Sequence, residues 1–116
     1  MLNIVKFIFI FLISVSPFFA KSKDSKKELA HNAIGLDVRS LSEIKAHPAP
    51  GSMNIEMKDL ESKVKQKIPN TNLPIYVFCE SGYRAEKARN LLMNMGYTQI
   101  KNIKSWRDWN QFKSKH

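Results

Sequence analysis

The chain has 116 residues, a formal net charge of +9 and a single cysteine. Once an N-terminal leader is set aside, this length allows one modest hydrophobic core and excludes a second domain of ordinary size. A lone cysteine excludes an internal disulfide. The three histidines are scattered along the chain and no second cysteine is available, so we predict neither a zinc site nor any other cofactor.

The positive charge favours anionic partners, and nucleic acid is one class of anion to consider. The lysines are spread over both ends of the chain and along one predicted helix, at Lys58, Lys63, Lys65 and Lys67. Aromatic residues that would stack on bases do not alternate with them. We therefore predict a solvated basic surface that attracts small oxyanions, and no nucleic-acid partner.

Residues 1–20 predict a secretory signal peptide, because an apolar stretch from Phe7 ends at the small residue Ala20. A polar linker is predicted at residues 21–29. Phe18 at the expected cleavage site and the four lysines of the linker leave an uncleaved membrane anchor as the alternative. Either reading predicts an exported, periplasmic protein, which contacts the membrane only if the leader is retained.

The remaining residues, 30–116, predict one domain of alternating strands and helices. In chain order we predict strand Ile34–Val38, a helical turn at Leu41–Ala46, strand Met53–Ile55, helix Asp59–Ile68, strand Ile75–Phe78, a helix after Arg84 that ends before Gly96, strand Gln99–Ile103 and helix Trp106–Phe112. The third strand is apolar on both faces, as a central parallel strand is. The pattern predicts an α/β fold, with a central parallel sheet flanked by helices on both faces.

Cys79 directly follows the predicted central strand and precedes a helix. It begins the run Cys79-Glu80-Ser81-Gly82-Tyr83-Arg84. A loop between a strand and a helix N-terminus directs backbone N–H groups at the side chain it surrounds, and the helix dipole adds positive potential. Such a site stabilises a thiolate, so we predict a nucleophile; the alternative is an inert buried cysteine.

The spacing C-x-x-G-x-R and several other motifs resemble the rhodanese family of single-domain sulfurtransferases, in particular its small exported members of the phage-shock type. The other motifs are Leu36-Asp37-Val38-Arg39 followed by Glu43, the segment from His47 through Pro50-Gly51 to Asn54-Ile55, and Met95-Gly96-Tyr97. One extra residue lies between His47 and Pro50, and Ser52 replaces the usual alanine. The resemblance covers about residues 34–109 and implies the rhodanese fold.

The resemblance also implies a reaction, in which Cys79 takes a sulfane sulfur from an anionic donor such as thiosulfate and passes it to a thiol or cyanide. Arg84 would bind the anionic end of the donor, with a structural salt bridge as the alternative. Tyr83 would line the mouth of the pocket. Glu80 and Ser81 occupy variable loop positions, and the Glu80 carboxylate is expected to oppose ionisation of the thiol.

Three further residues are predicted to shape the site. Gly82 allows a backbone turn that a side chain would resist, and backbone N–H groups from Glu80 to Arg84 are expected to surround the sulfur. The resemblance implies that Asp37 and Arg39 support the loop and the first strand through hydrogen bonds without touching the sulfur.

Two other functions remain as alternatives. Related folds that act on phosphate or arsenate use a loop one residue longer, so the six residues from Cys79 to Arg84 favour sulfur over phosphatase or arsenate-reductase chemistry. The chain could also be a persulfide carrier or binding module with little turnover. The sequence leaves the oligomeric state open.

Overall fold

A computed structural model describes residues 32–116, which form a single α/β domain around a parallel four-stranded sheet. The strands are β1 (Ile34–Asp37), β2 (Met53–Asn54), β3 (Ile75–Cys79) and β4 (Ile100–Ser105), in the order β2-β1-β3-β4. The helices are α1 (Leu41–Ala46), α2 (Leu60–Lys67), α3 (Tyr83–Asn94) and α4 (Trp106–Lys115), and a 3-10 turn (Met57–Asp59) precedes α2.

The sheet is covered by helices on both faces, as predicted. Side chains alternate along β3: Ile75, Val77 and Cys79 belong to a core shared with α2 and α3, whereas Phe78 packs with Trp109 of α4. This alternation follows from the two-residue period of a strand. Cys79 therefore lies on the face of the sheet that α3 covers.

The element boundaries differ from the predicted ones at the functional end of the sheet. Strand β3 extends one residue beyond the prediction, because Cys79 pairs with Ser105 across an irregularity in the β3–β4 register. Helix α3 begins at Tyr83, before the predicted start after Arg84. Cys79 is thus a strand residue, and the connection between β3 and α3 has only three residues.

Helix α4 is longer than predicted and is firmly anchored at its N-terminus. Ser105 and Asp108 form a capping box, in which each side chain bonds the backbone N–H of the other residue. Trp109 packs so closely over β1 that a Cβ atom at Gly35 would lie 2.5 Å from its ring. The helix therefore places Trp106, its first residue, beside the loop that follows Cys79.

The predicted signal peptide, its alternative as an anchor and the linker lie outside the described residues. Across residues 32–116, none of the helices is both long enough and apolar enough to cross a membrane. In the same part of the chain, no three His, Cys, Asp or Glu side chains are grouped so that they could hold a metal ion.

Candidate active site

The thiol of Cys79 is enclosed where β3 meets the N-terminus of α3. The residue is only 1% exposed, and the backbone N–H of Gly82 donates a 3.0 Å hydrogen bond to its Sγ atom. Gly82 occupies the N-cap position of α3 and has no side chain to cap the helix. The sulfur accepts in place of a capping side chain, which is the arrangement expected for a stabilised thiolate.

The pKa of the Cys79 thiol is lowered from its ordinary value. Burial is the largest single influence and acts in the opposite direction, but hydrogen bonds from the backbone N–H groups of Ala85, Gly82, Ser81 and Arg84 together outweigh it. The contributing amides extend one residue further into α3 than predicted. The site therefore favours a thiolate even though the residue is almost fully buried.

The loop can turn around the sulfur because Gly82 adopts a left-handed conformation, with φ of 104°. A Cβ atom at this position would lie 3.3 Å from the Cα of Lys104, a backbone atom of β4. The side chain of Asn102 donates a 3.1 Å hydrogen bond to the Gly82 carbonyl and a second bond, of 3.0 Å, to Glu86. Asn102 was not predicted as a site residue, and no motif in its own segment indicates that role.

Arg84 forms an ion pair with Glu43 of α1. An NH2 nitrogen of Arg84 lies 3.0 Å from Oε2 of Glu43, and the two side chains are 33% and 37% exposed. The hydrogen bond that Arg84 donates to Glu43 is the main influence that raises the pKa of Arg84, and the nearby Cys79 thiolate raises it further. The structure thus supplies the salt bridge considered as an alternative, while the guanidinium remains close to the thiol.

Asp37 and Arg39 form a buried ion pair behind the site. The Arg39 guanidinium contacts Asp37 Oδ2 at 2.7 Å, and both side chains are at most 1% exposed. Arg39 also donates to the carbonyl of Glu43, within α1, at 3.5 Å and to the carbonyl of His47, the C-cap of α1, at 2.9 Å. The pair therefore fixes the position of α1, the helix that carries Glu43.

The Glu80 carboxylate is paired with residues of α4. It accepts hydrogen bonds from the indole N–H of Trp106 at 2.9 Å and from Arg107 at 3.2 Å. Some burial raises its pKa, but these two bonds and the positive charges of Arg107 and Arg39 lower it overall. Its charge is therefore balanced on α4, while the main influences on the pKa of Cys79 are burial and backbone N–H groups.

The remaining loop side chains are exposed. Ser81 and Tyr83 both lie at the surface, and the Tyr83 side chain is 70% exposed. The ammonium group of Lys87 sits 4.7 Å from the centroid of the Tyr83 ring. Tyr83 is thus a surface residue at the start of α3, one position before Arg84.

Comparison with models of protein families matches residues 21–112 to the rhodanese-like domain. The chain belongs to the rhodanese family. This assignment agrees with the parallel sheet and with the strand, loop and helix around Cys79. It also accounts for the ordered motifs from Asp37 to Tyr97, which were identified from the residues alone.

Several single-domain rhodaneses resemble this one. The thiosulfate sulfurtransferase PspE of Escherichia coli is 27% identical over 73 residues, which are 63% of this chain and 70% of the relative. The human thiosulfate:glutathione sulfurtransferase is 31% identical over 86 residues, covering 63% of this chain and 75% of the relative. Among solved structures, an E. coli rhodanese with anions superposes with a TM-score of 0.62 at 26% identity, over 66% of this chain and 89% of that one.

This rhodanese domain also contains contacts that the motif pattern did not reveal. The imidazole of His47 stacks on Trp106 with ring centroids 4.6 Å apart and planes inclined by 8°. The indole N–H of the same Trp106 donates to Glu80. Glu43 follows Arg39 in the first motif, so its place in the pattern was visible although its contact with Arg84 was not.

Proposed function

We propose that this chain is a sulfurtransferase that carries sulfur as a persulfide on Cys79. The observation that carries the proposal is the set of backbone N–H groups around Sγ, which lowers the pKa of the thiol despite its burial. Relatives named thiosulfate sulfurtransferase and thiosulfate:glutathione sulfurtransferase support the same class of reaction.

With thiosulfate as donor, the Cys79 thiolate attacks the outer sulfur. The bond between that sulfur and the sulfonate sulfur breaks, and its electron pair leaves with sulfite. The product is the Cys79 persulfide anion, whose terminal sulfur takes the place of Sγ near the amides, so that preorganised donors stabilise the transferred charge. Cyanide or an acceptor thiolate then attacks the terminal sulfur and restores the Cys79 thiolate.

The decisive experiment compares the purified wild-type protein with Cys79→Ser. Wild type should release sulfite from thiosulfate in the presence of cyanide, and the serine variant should not. Mass spectrometry after treatment with thiosulfate should find one added sulfur atom on Cys79. Sulfite release by the serine variant at the wild-type rate would refute nucleophilic catalysis by this thiol.

Wild type and Cys79→Ser also separate the other two functions considered. A stable persulfide with negligible turnover would favour a sulfur carrier. Hydrolysis of an aryl phosphate that depends on Cys79 would favour a phosphatase.

We also propose that the protein is exported, on the basis of residues 1–20. Fractionation of cells should recover it outside the cytoplasm.

A further inference from the structure

The guanidinium of Arg84 is already bound to an anion within the chain. Glu43 Oε2 lies 3.0 Å from it, and a carboxylate and an oxyanion such as the sulfonate end of thiosulfate accept N–H bonds from a guanidinium in the same way. Arg84 is also close enough to Cys79 for the thiolate to raise its pKa. A donor anion that approaches the sulfur therefore meets a cation that Glu43 has partly neutralised.

The backbone of Glu43 is held in place, so only its side chain is free to move away from Arg84. Arg39 donates to the Glu43 carbonyl and to the His47 carbonyl, and Arg39 is itself buried against Asp37. The Glu43 side chain, in contrast, is 37% exposed. Rotation of that side chain into solvent would release Arg84 without moving α1.

We infer that Glu43 is a specificity-determining residue whose carboxylate competes with the anionic end of the sulfur donor for Arg84. The inference rests on the proposed function for its meaning, but the competition itself does not require turnover. Ion pairs with this degree of exposure contribute little free energy. Removing the carboxylate should therefore raise the rate constant for reaction with an anionic reagent by only about two- to fivefold. Neutral reagents of the same size should be unaffected.

The test uses two alkylating reagents that differ in charge, iodoacetate and iodoacetamide. Each is attacked by the Cys79 thiolate, which forms a carbon–sulfur bond as iodide leaves. In Glu43→Gln, the ratio of the iodoacetate rate constant to the iodoacetamide rate constant should rise by about two- to fivefold. The control Glu61→Gln removes the same charge from an exposed position on α2 and should leave the ratio unchanged.

A second background separates competition for Arg84 from a general change in the electric field. In Arg84→Gln, the further substitution Glu43→Gln should no longer raise the ratio, because the contested cation is gone. An equal rise in that background would overturn the inference. So would an unchanged or lower ratio in Glu43→Gln alone, since Glu43 would then orient Arg84 and not compete for it.

Kinetics with thiosulfate connect this result to catalysis. Glu43→Gln should lower the KM for thiosulfate by about two- to fivefold with kcat little changed. A higher KM would contradict the inference. If the alkylation ratio rises as expected but thiosulfate is not turned over even by wild type, the competition stands and the proposed function fails, so the two failures are distinguishable.

Discussion

The backbone N–H of Gly82 donates to the Sγ atom of Cys79 at 3.0 Å, and the same glycine has φ of 104°. A left-handed conformation at this position is what directs the N–H at the sulfur. The geometry of one backbone residue thus links the shape of the loop to the chemistry of the thiol.

Replacement of Gly82 by alanine should impair both stability and the thiolate. A left-handed conformation costs a residue with a side chain about 1–2 kcal/mol, and the new Cβ would lie 3.3 Å from the Cα of Lys104. Relief of that contact should weaken the bond to Sγ and raise the pKa of the thiol. Denaturant unfolding and the pH dependence of iodoacetamide alkylation measure the two effects.

Gly96→Ala is the matched control for that substitution. Gly96 has φ of 97°, but a Cβ atom there would meet nothing within 4 Å. We expect a comparable loss of unfolding free energy with no change in the pKa of Cys79. A similar pKa shift in both variants would show that the Gly82 N–H has no special effect on the sulfur.

The lowered pKa of Cys79 predicts a specific pH dependence. Free cysteine titrates near pH 8.5. The rate constant for alkylation of Cys79 by iodoacetamide should therefore stay at its plateau at pH values where the rate constant of free cysteine is already falling.

The free energy of unfolding should depend on the same titration of Cys79. Because the folded pKa lies below the unfolded one, the thiolate stabilises the fold fully above about pH 8.5, and this contribution is lost as pH falls through the folded pKa.

That linkage can be measured by comparing wild type with Cys79→Ser in urea. The difference in unfolding free energy should increase in favour of wild type as pH rises from below the folded pKa towards about 8.5, and level off above it. A difference that decreases over this range would mean that folding raises the pKa of the thiol.

Loss of the buried Arg39 guanidinium should severely destabilise the domain. Arg39→Met would leave the Asp37 carboxylate buried without its partner, which costs about 3–5 kcal/mol. Lys63→Met breaks the exposed pair of Lys63 with Asp59, whose side chains are 53% and 36% exposed, and should cost less than about 1 kcal/mol. Urea unfolding of both variants checks the contrast, and similar losses would contradict it.

Removal of the Glu80 carboxylate should leave the thiol almost unchanged. Because that carboxylate bonds Trp106 and Arg107, Glu80→Ala should change kcat/KM for thiosulfate by less than about fivefold. Tryptophan fluorescence should change, since the indole of Trp106 loses its acceptor. A large gain in activity together with a lower pKa of Cys79 would show that Glu80 does oppose ionisation of the thiol.

The local part of the site was predictable from the sequence. The apolar run of β3, the cysteine at its end and the helical pattern that follows are consecutive in the chain, so a single segment predicts the turn that surrounds the sulfur. The boundaries were less accurate: the prediction ended the strand at Phe78 and began the helix after Arg84. Pairing of Cys79 with Ser105 of β4 extends the strand, and no local pattern contains that information.

What the sequence determined by itself was the alternation of strands and helices and the thiol at a helix N-terminus, because both depend on neighbouring residues. Tertiary structure alone decided which side chains meet this thiol's loop. Glu43 and Arg84 are 41 residues apart, and Glu80 and Trp106 are 26 apart. These pairs meet because β3 lies between β1 and β4, so the segments after all three parallel strands converge at one edge of the sheet.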